Sequence, residues 1–253
     1  MADLVLAHSS DLHIGFPSRD EPLDALRRVL ATAAEVRADI LLLVGDVFDN
    51  NRVPDALVST AARMLASSGV EVVVLPGNHD PLTADSVYNR TAFADLPRVR
   101  ILGRGAPAGE QIAFAGLDLA VWGRAHWDYE DMQPLVDPPR RSRRWHVVLA
   151  HGHVVNVEAE TEARSWLIRP AEIAATNADY VALGHWDRQR EWTAVVVWPR
   201  TTRARRNTRA ASTWCGWRRR AGCRSIGGGW RRAEARSLAA DRAWFAAKQY
   251  TVI

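Results

Sequence analysis

Two patterns of apolar residues alternate along the first two hundred positions of the chain. The first is a short, nearly unbroken apolar run at residues 4–7, 40–44 and 70–75. Such runs, bounded by polar turns, are too short for helices and predict strands; 40–44 reads as buried on both faces, as in a parallel or mixed sheet. The second recurs every three to four positions: Leu23, Leu26, Val29, Leu30, Ala33 and Val36 predict a helix, with Pro22 suited to its first turn. A further amphipathic helix is predicted over 54–66, so the opening order is β-α-β-α-β.

The later pattern is less regular. Residues 86–94 read as helical, 99–102 and 111–122 hold short strand-like runs, and 103–107 form a turn. Strands are predicted at 145–150, 179–183 and 193–198, with a short helix at 170–176 between the first two. Beyond Pro199 the apolar alternation stops, and no strand is expected. A terminal helix over 244–250 is the one element predicted there.

Charge changes this picture at its end. The net charge is +4, but from Arg200 onward there are 13 Arg, one Lys and two acids, a local net of +12, which leaves −8 on the first 199 residues. The basic character therefore belongs to the tail, and the whole-chain balance is no argument for a nucleic-acid surface on the remainder. We divide the chain into a domain over 1–199 and a basic, Arg- and Trp-rich, poorly ordered tail over 200–253. Arg with Trp can pair with phosphates and stack on bases. The preferred reading is an out-of-register translation of a high-GC gene, because nothing after Pro199 continues the sheet pattern. Cys215 and Cys223 both fall in the tail and make no disulfide framework. With no apolar run of 18 residues and no basic start, the expected location is the cytoplasm, with no membrane association.

The candidate chemistry lies where the strands end. Past each predicted strand stand polar groups: Asp11 and His13, Asp46 and Asp49, Asn78 and His79, His151 and His153, His185 and Asp187. In an extended segment residues two apart share a side, so Asp11 and His13 can converge on one cation. In Gly77-Asn78-His79-Asp80 the glycine is expected to turn with positive φ. Open α/β sheets place their chemistry at such strand ends. Mixed carboxylate, imidazole and amide donors suit Mn, Fe or Zn, and the lack of cysteine argues against a closed structural zinc. The donors are too many for one ion. Two ions about 3.5–4 Å apart, sharing a carboxylate, would use them all.

The ordered blocks D-x-H (Asp11, His13), GD-x-x-D (Gly45, Asp46, Asp49), GNHD (77–80), His151 and GH (Gly184, His185) resemble the calcineurin-like metallophosphoesterase superfamily from residue 3 to about 198. Within it, HSSDLHIG at 8–15 and GDVFD at 45–49 are most similar to SbcD-like DNA repair exonucleases. The resemblance implies an α/β fold, a four-layer α-β-β-α sandwich of two mixed sheets. It implies that Asp11 and His13 bind a first metal, that Asp46 bridges, and that Asn78, His151 and His185 bind a second. His79 would face the phosphate and protonate the leaving oxygen, with Asp49 holding its ring, and Asp80 would support the loop. Asp187 stands where the family has a second histidine; it is expected to keep the first ion with altered affinity or preference. His8 is expected to be structural, and His153 is left as a rival of His151.

The expected function is hydrolysis of phosphodiester bonds by two divalent ions, manganese first with iron or zinc as alternatives. DNA is the expected substrate, and an SbcC-like ATPase is the partner the resemblance implies. The alternatives are a small-nucleotide phosphodiesterase or phosphoprotein phosphatase, and a binding module that retains the fold without turnover.

Overall fold

The computed structural model describes residues 4–17, 21–155, 165–185 and 249–252. The expected strand at 193–198, Asp187, both cysteines and most of the basic tail lie outside these residues. Val5–Ser9 forms β1, Asp24–Glu35 α1, Ile40–Val44 β2, Asp55–Ala66 α2 and Glu71–Leu75 β3. Val99–Ile101 (β4) completes the parallel run β1-β2-β3-β4. β2 lies inside this sheet, and all five of its residues are buried, which is why its sequence lacks polar alternation. Helix α1 turns Leu26, Val29 and Ala33 inward, and α2 does the same with Val58, Ala61, Ala62 and Leu65.

The second sheet is built from Glu110–Phe114 (β5), Leu119–Gly123 (β6), Trp145–His151 (β7) and Tyr180–Gly184 (β10) in the order β10-β7-β6-β5. His153–Val154 (β8) and Leu167–Ile168 (β9) make a two-stranded parallel ladder, followed by the short helix Pro170–Ala175 (α3). Side chains alternate along β7 with the period of two that a strand imposes. Val147 and Leu149 join the large core between the sheets, whereas Val148 and Ala150 join a smaller cluster packed against Ile173 of α3. The layers are therefore helices, sheet, sheet, helix, the expected four-layer sandwich. His8 is structural as expected: it is buried, and its Nδ1 lies 3.0 Å from the Tyr180 hydroxyl, tying β1 to β10 across the core. Among the described residues no helix is long and apolar enough to cross a membrane.

Two expectations are corrected. Residues 86–94 form two short 3-10 turns, Val87–Asn89 and Thr91–Phe93, instead of an α-helix. Local side chains take the backbone donors that a helix would use: Val87 N–H donates to Asn51 Oδ1 at 3.0 Å and Tyr88 N–H to the Ser86 hydroxyl at 3.3 Å. The second correction lies at the end of the chain. Gln249–Val252 is a strand, β11, paired antiparallel with β1 from Val5↔Val252 to His8↔Gln249. Gln249 and Tyr250 thus belong to a strand and not to the predicted terminal helix, and the basic tail does contain a strand. Tyr, Thr and Val favour pleated structure, but a run of four is too short to be read from sequence; the edge of β1 recruits it.

Candidate metal centre

The site begins where β1 and β2 leave their sheet side by side. Asp11 N–H donates to Gly45 O at 3.1 Å, His13 N–H to Asp46 O at 3.0 Å and Ile14 N–H to Val47 O at 2.9 Å. The two loops thus continue the strand pairing outward. Leu12 and Ile14 are fully buried and anchor the first loop, while Asp11 and His13 are only partly covered. The backbone here is not the extended one expected, and Asp11 and His13 do not fall in one group of ligand atoms. Asp11, His13, Asp46 and His185 all have positive φ, at 55°, 45°, 53° and 96°. Left-handed backbone is costly for residues with a side chain and persists where the surroundings enforce it. Four such residues meet in one place.

Asp46 is the centre of the arrangement. It is 2% exposed; its Oδ1 accepts the His79 N–H at 2.9 Å and its Oδ2 lies 3.1 Å from His151 Nε2. The reason for Gly77 is this close approach. Its φ is not among the positive ones, but a Cβ there would fall 2.3 Å from Asp46 Oδ1 and 2.6 Å from Asp46 N. Glycine is needed for space, which corrects the expectation of a left-handed turn.

Asp80 clamps the same two loops from beneath. Fully buried, its carboxylate accepts from Gly77 N at 2.8 Å, Asp46 N at 3.2 Å, Phe48 N at 2.9 Å and the Tyr88 hydroxyl at 2.6 Å. Burial and then the Asp46 charge push its carboxyl up, and the donors work against that rise. Removing the acceptor strands all four donors. Asp80→Ala is therefore expected to cost about 3–5 kcal/mol, or roughly 10 °C in melting temperature for a domain of this size, as read by thermal melts.

Two groups of side chains have ligand atoms that all lie within 4.8 Å of one another: His13, Asp46 and His79, and Asp46, His151 and His185. Asp46 belongs to both. Around His151 the fit to a cation can be tested atom by atom. Its Nδ1 lies 2.9 Å from Val44 O and must donate there, which turns Nε2 toward Asp46 Oδ2 and toward Asn78 Oδ1, each at 3.1 Å. Two acceptor oxygens thus face a ring nitrogen whose partner nitrogen already carries the hydrogen. Only a second proton or a cation reconciles the three. Neighbouring ligand atoms held about 2.0–2.2 Å from one ion stand at comparable separations. Asp46, Asn78, His151 and His185 thus fit one divalent ion, and His13, Asp46 and His79 meet as the other group, whereas Asp11, expected as a ligand, is in neither group.

The charges agree. Burial alone would lower the His151 imidazole, but Asp46 and then Asp11 outweigh it and push it up to about 9. Burial likewise works to raise Asp46, and His151 and His79 hold it well below the usual carboxylate range. Asp11 is raised, chiefly by burial, and burial followed by the nearby imidazoles lowers His185 to about 3, the neutral ligating form. A prediction follows for metal-free protein. His151 has a folded value near 9 against 6.5 unfolded, so its imidazolium stabilises the fold fully below pH 6.5 and ceases to as pH rises through 9. The melting temperature of EDTA-treated protein should fall across that interval, and His151→Gln should flatten the slope.

The remaining expected residues are placed as follows. His79 is exposed at the rim, its Nδ1 3.0 Å from the Asp49 backbone carbonyl and its ring 4.7 Å from that of His13. Asp49 thus meets the His79 ring through its backbone carbonyl, while its carboxylate lies 3.4 Å from His13 Nδ1. His185 donates its backbone N–H to Asp11 Oδ2 at 3.0 Å, joining the two ends of the site. Sequence reasoning missed Tyr88 and His126. His126 is buried behind the site with Nε2 3.0 Å from His151 O, and burial lowers it to about 4. Neither lies in a recognisable motif, so no sequence signal marked them.

A family model, the calcineurin-like phosphoesterases, matches residues 4–189. The chain belongs to that family. Members of the family are metal-dependent phosphoester hydrolases with a dinuclear metal centre. Among curated relatives, the DNA double-strand break repair protein Mre11 of Haloferax volcanii is 31% identical over 154 residues, covering 57% of this chain and 33% of that protein. The Bacillus subtilis metallophosphoesterase YhaO is 25% identical over 231 residues, 81% of this chain and 54% of the relative. A UDP-2,3-diacylglucosamine hydrolase of Stenotrophomonas maltophilia is 37% identical over 94 residues, 35% of this chain and 37% of that enzyme. The calcineurin-like phosphoesterase chain thus spans between a third and about half of the length of these relatives.

Proposed function

We propose that this protein hydrolyses phosphodiester bonds in DNA with two divalent ions, manganese in the first instance. The observation that carries the reading is Asp46, the carboxylate common to both ligand groups. In this reading Asp11 and His13, completed by Asp187, hold one ion, and Asn78, His151 and His185 hold the other, with Asp46 between them. Bound at such spacing, two ions supply an activated water and neutralise charge at phosphorus in an in-line displacement. The chain's own groups do the rest. Nδ1 of His79, donated to the Asp49 carbonyl, fixes the ring so that Nε2 is the nitrogen available to the substrate. From the exposed rim it protonates the departing oxygen. Asp49 acts through its backbone on His79 and through its carboxylate on His13.

DNA is favoured over other phosphodiesters by the similarity to the Haloferax Mre11 protein and by the HSSDLHIG and GDVFD blocks. On this reading the protein works in the cytoplasm with an SbcC-like ATPase. The 94-residue similarity to a UDP-sugar hydrolase favours a second reading, a small nucleotide diphosphate substrate. The experiment is a comparison of linear double-stranded DNA, single-stranded DNA, cyclic nucleotide, UDP-sugar and an aryl phosphodiester, each with Mn²⁺ and with EDTA. Manganese-dependent degradation of DNA together with the aryl diester is expected. Cleavage of the UDP-sugar with DNA left intact would replace the nuclease reading by the second one.

A further inference from the structure

His153 is partly buried beside His185, yet it belongs to neither group of ligand atoms. Its setting is built with care. Strand β7 ends at His151 and β8 starts at His153, so only Gly152 separates them. A Cβ on Gly152 would lie 2.2 Å from Trp166 O, and glycine is what lets the 165–168 segment come this close. His153 N–H then donates to Trp166 O at 2.9 Å, and Val155 N–H to Ile168 O at 3.0 Å, which closes the β8–β9 ladder. Trp166 has φ 56°, an unusual conformation for so bulky a side chain. Two bonds hold it there: its N–H to Asp131 Oδ1 at 2.6 Å and its indole N–H to Glu130 O at 2.9 Å.

The product of this construction is one contact. The His153 and His185 rings meet with centroids 4.3 Å apart, and their Nε2 atoms are 3.2 Å apart. One of the two nitrogens must carry the hydrogen. The His185 backbone is held on its other side by Asp11, and its ring is flanked by His151 at 5.1 Å and Trp166 at 5.4 Å. A ligating imidazole needs its second nitrogen bonded, because that bond selects the tautomer and the orientation of the ring.

We propose that His153 is a positioning residue for His185: it accepts the His185 Nε2–H and leaves Nδ1 of His185, with its lone pair, for the cation shared with Asp46 and His151. The short β8–β9 ladder, Gly152 and the strained Trp166 then have a common purpose, to hold an imidazole where a carboxylate or carbonyl would ordinarily support the ligand. This inference rests on the dinuclear reading of the proposed function.

The test is manganese binding by titration calorimetry and by metal analysis of desalted protein, with melts in EDTA and in Mn²⁺. His153→Ala should weaken one of two manganese sites by about 10–100-fold. It should leave the EDTA melting temperature near that of the parent and shrink the gain on adding Mn²⁺. His153→Gln, whose amide reaches the position of Nε2, should restore most of the affinity. His185→Ala is the control and should lose one equivalent. If the parent itself binds fewer than two equivalents, the dinuclear reading fails; if His185→Ala still binds two with parental affinity, His185 is no ligand and the positioning role is overturned. If His185→Ala loses one but His153→Ala binds both with parental affinity, the positioning role is overturned. Loss of a full equivalent in both His153 variants would overturn it too, since His153 would then be a ligand.

Discussion

Asp46→Asn is expected to bind neither manganese ion tightly and to hydrolyse an aryl phosphodiester at least about 10³-fold more slowly than the parent. The substitution keeps the shape and the oxygen that accepts the His79 N–H at 2.9 Å, so the loop stays anchored. What it removes is the charge common to both ligand groups. Stabilisation of the transition state by bound ions is worth several kcal/mol, and each 1.36 kcal/mol is about tenfold in rate, which sets that figure. Metal analysis checks the cause. A slow variant that still carries two tightly held ions would show that Asp46 does not bridge.

His79→Asn is expected to behave in the opposite way, retaining both ions while the rate falls. His79 and Asp46 are near enough for His79 to be read as a ligand, since His13, Asp46 and His79 meet within 4.8 Å. Its exposure and its bond to the Asp49 carbonyl favour a role toward the substrate. The two roles separate on the leaving group. General acid catalysis is worth about 10²–10⁴-fold when the leaving oxygen needs a proton. An alkoxide departing from DNA needs one and nitrophenolate does not. The variant should therefore lose about 10²-fold or more on DNA and much less on bis-nitrophenyl phosphate. Equal losses on both, with one ion missing, would assign His79 to the metal.

The reach of the sequence can be judged from the same residues. A strand buried on both faces must be apolar throughout, and a polar cluster at its end then stands out; that is why Asp11, Asp46, Asn78, His151 and His185 were legible beside β1, β2, β3, β7 and β10. The backbone at those points was not. Positive φ at Asp11, His13, Asp46 and His185 is imposed by the pairing of two loops far apart in sequence, and a local rule such as the two-residue alternation of a strand does not contain it. Gly77 was marked for the right position and the wrong reason, since its neighbour is a carboxylate thirty residues away. Asp80 was expected to support its loop and does, yet Tyr88, which completes the clamp, carries no motif. Residues 86–94 had the composition of a helix and lost it to side-chain bonds with Asn51 and Ser86.

The pairing of β11 with β1 has a consequence for how the protein is made. Val252 lies against Val5, so the strand that leads into Asp11 and His13 waits for its outer neighbour until synthesis has passed residues 249–252. At about 5–20 residues per second the ribosome takes roughly ten to fifty seconds over that interval. Throughout it the nascent sheet presents a bare edge of unpaired amides and carbonyls to its surroundings. A chaperone that shields edge strands would act in that window, and a nonsense codon anywhere upstream of Gln249 would make the window permanent.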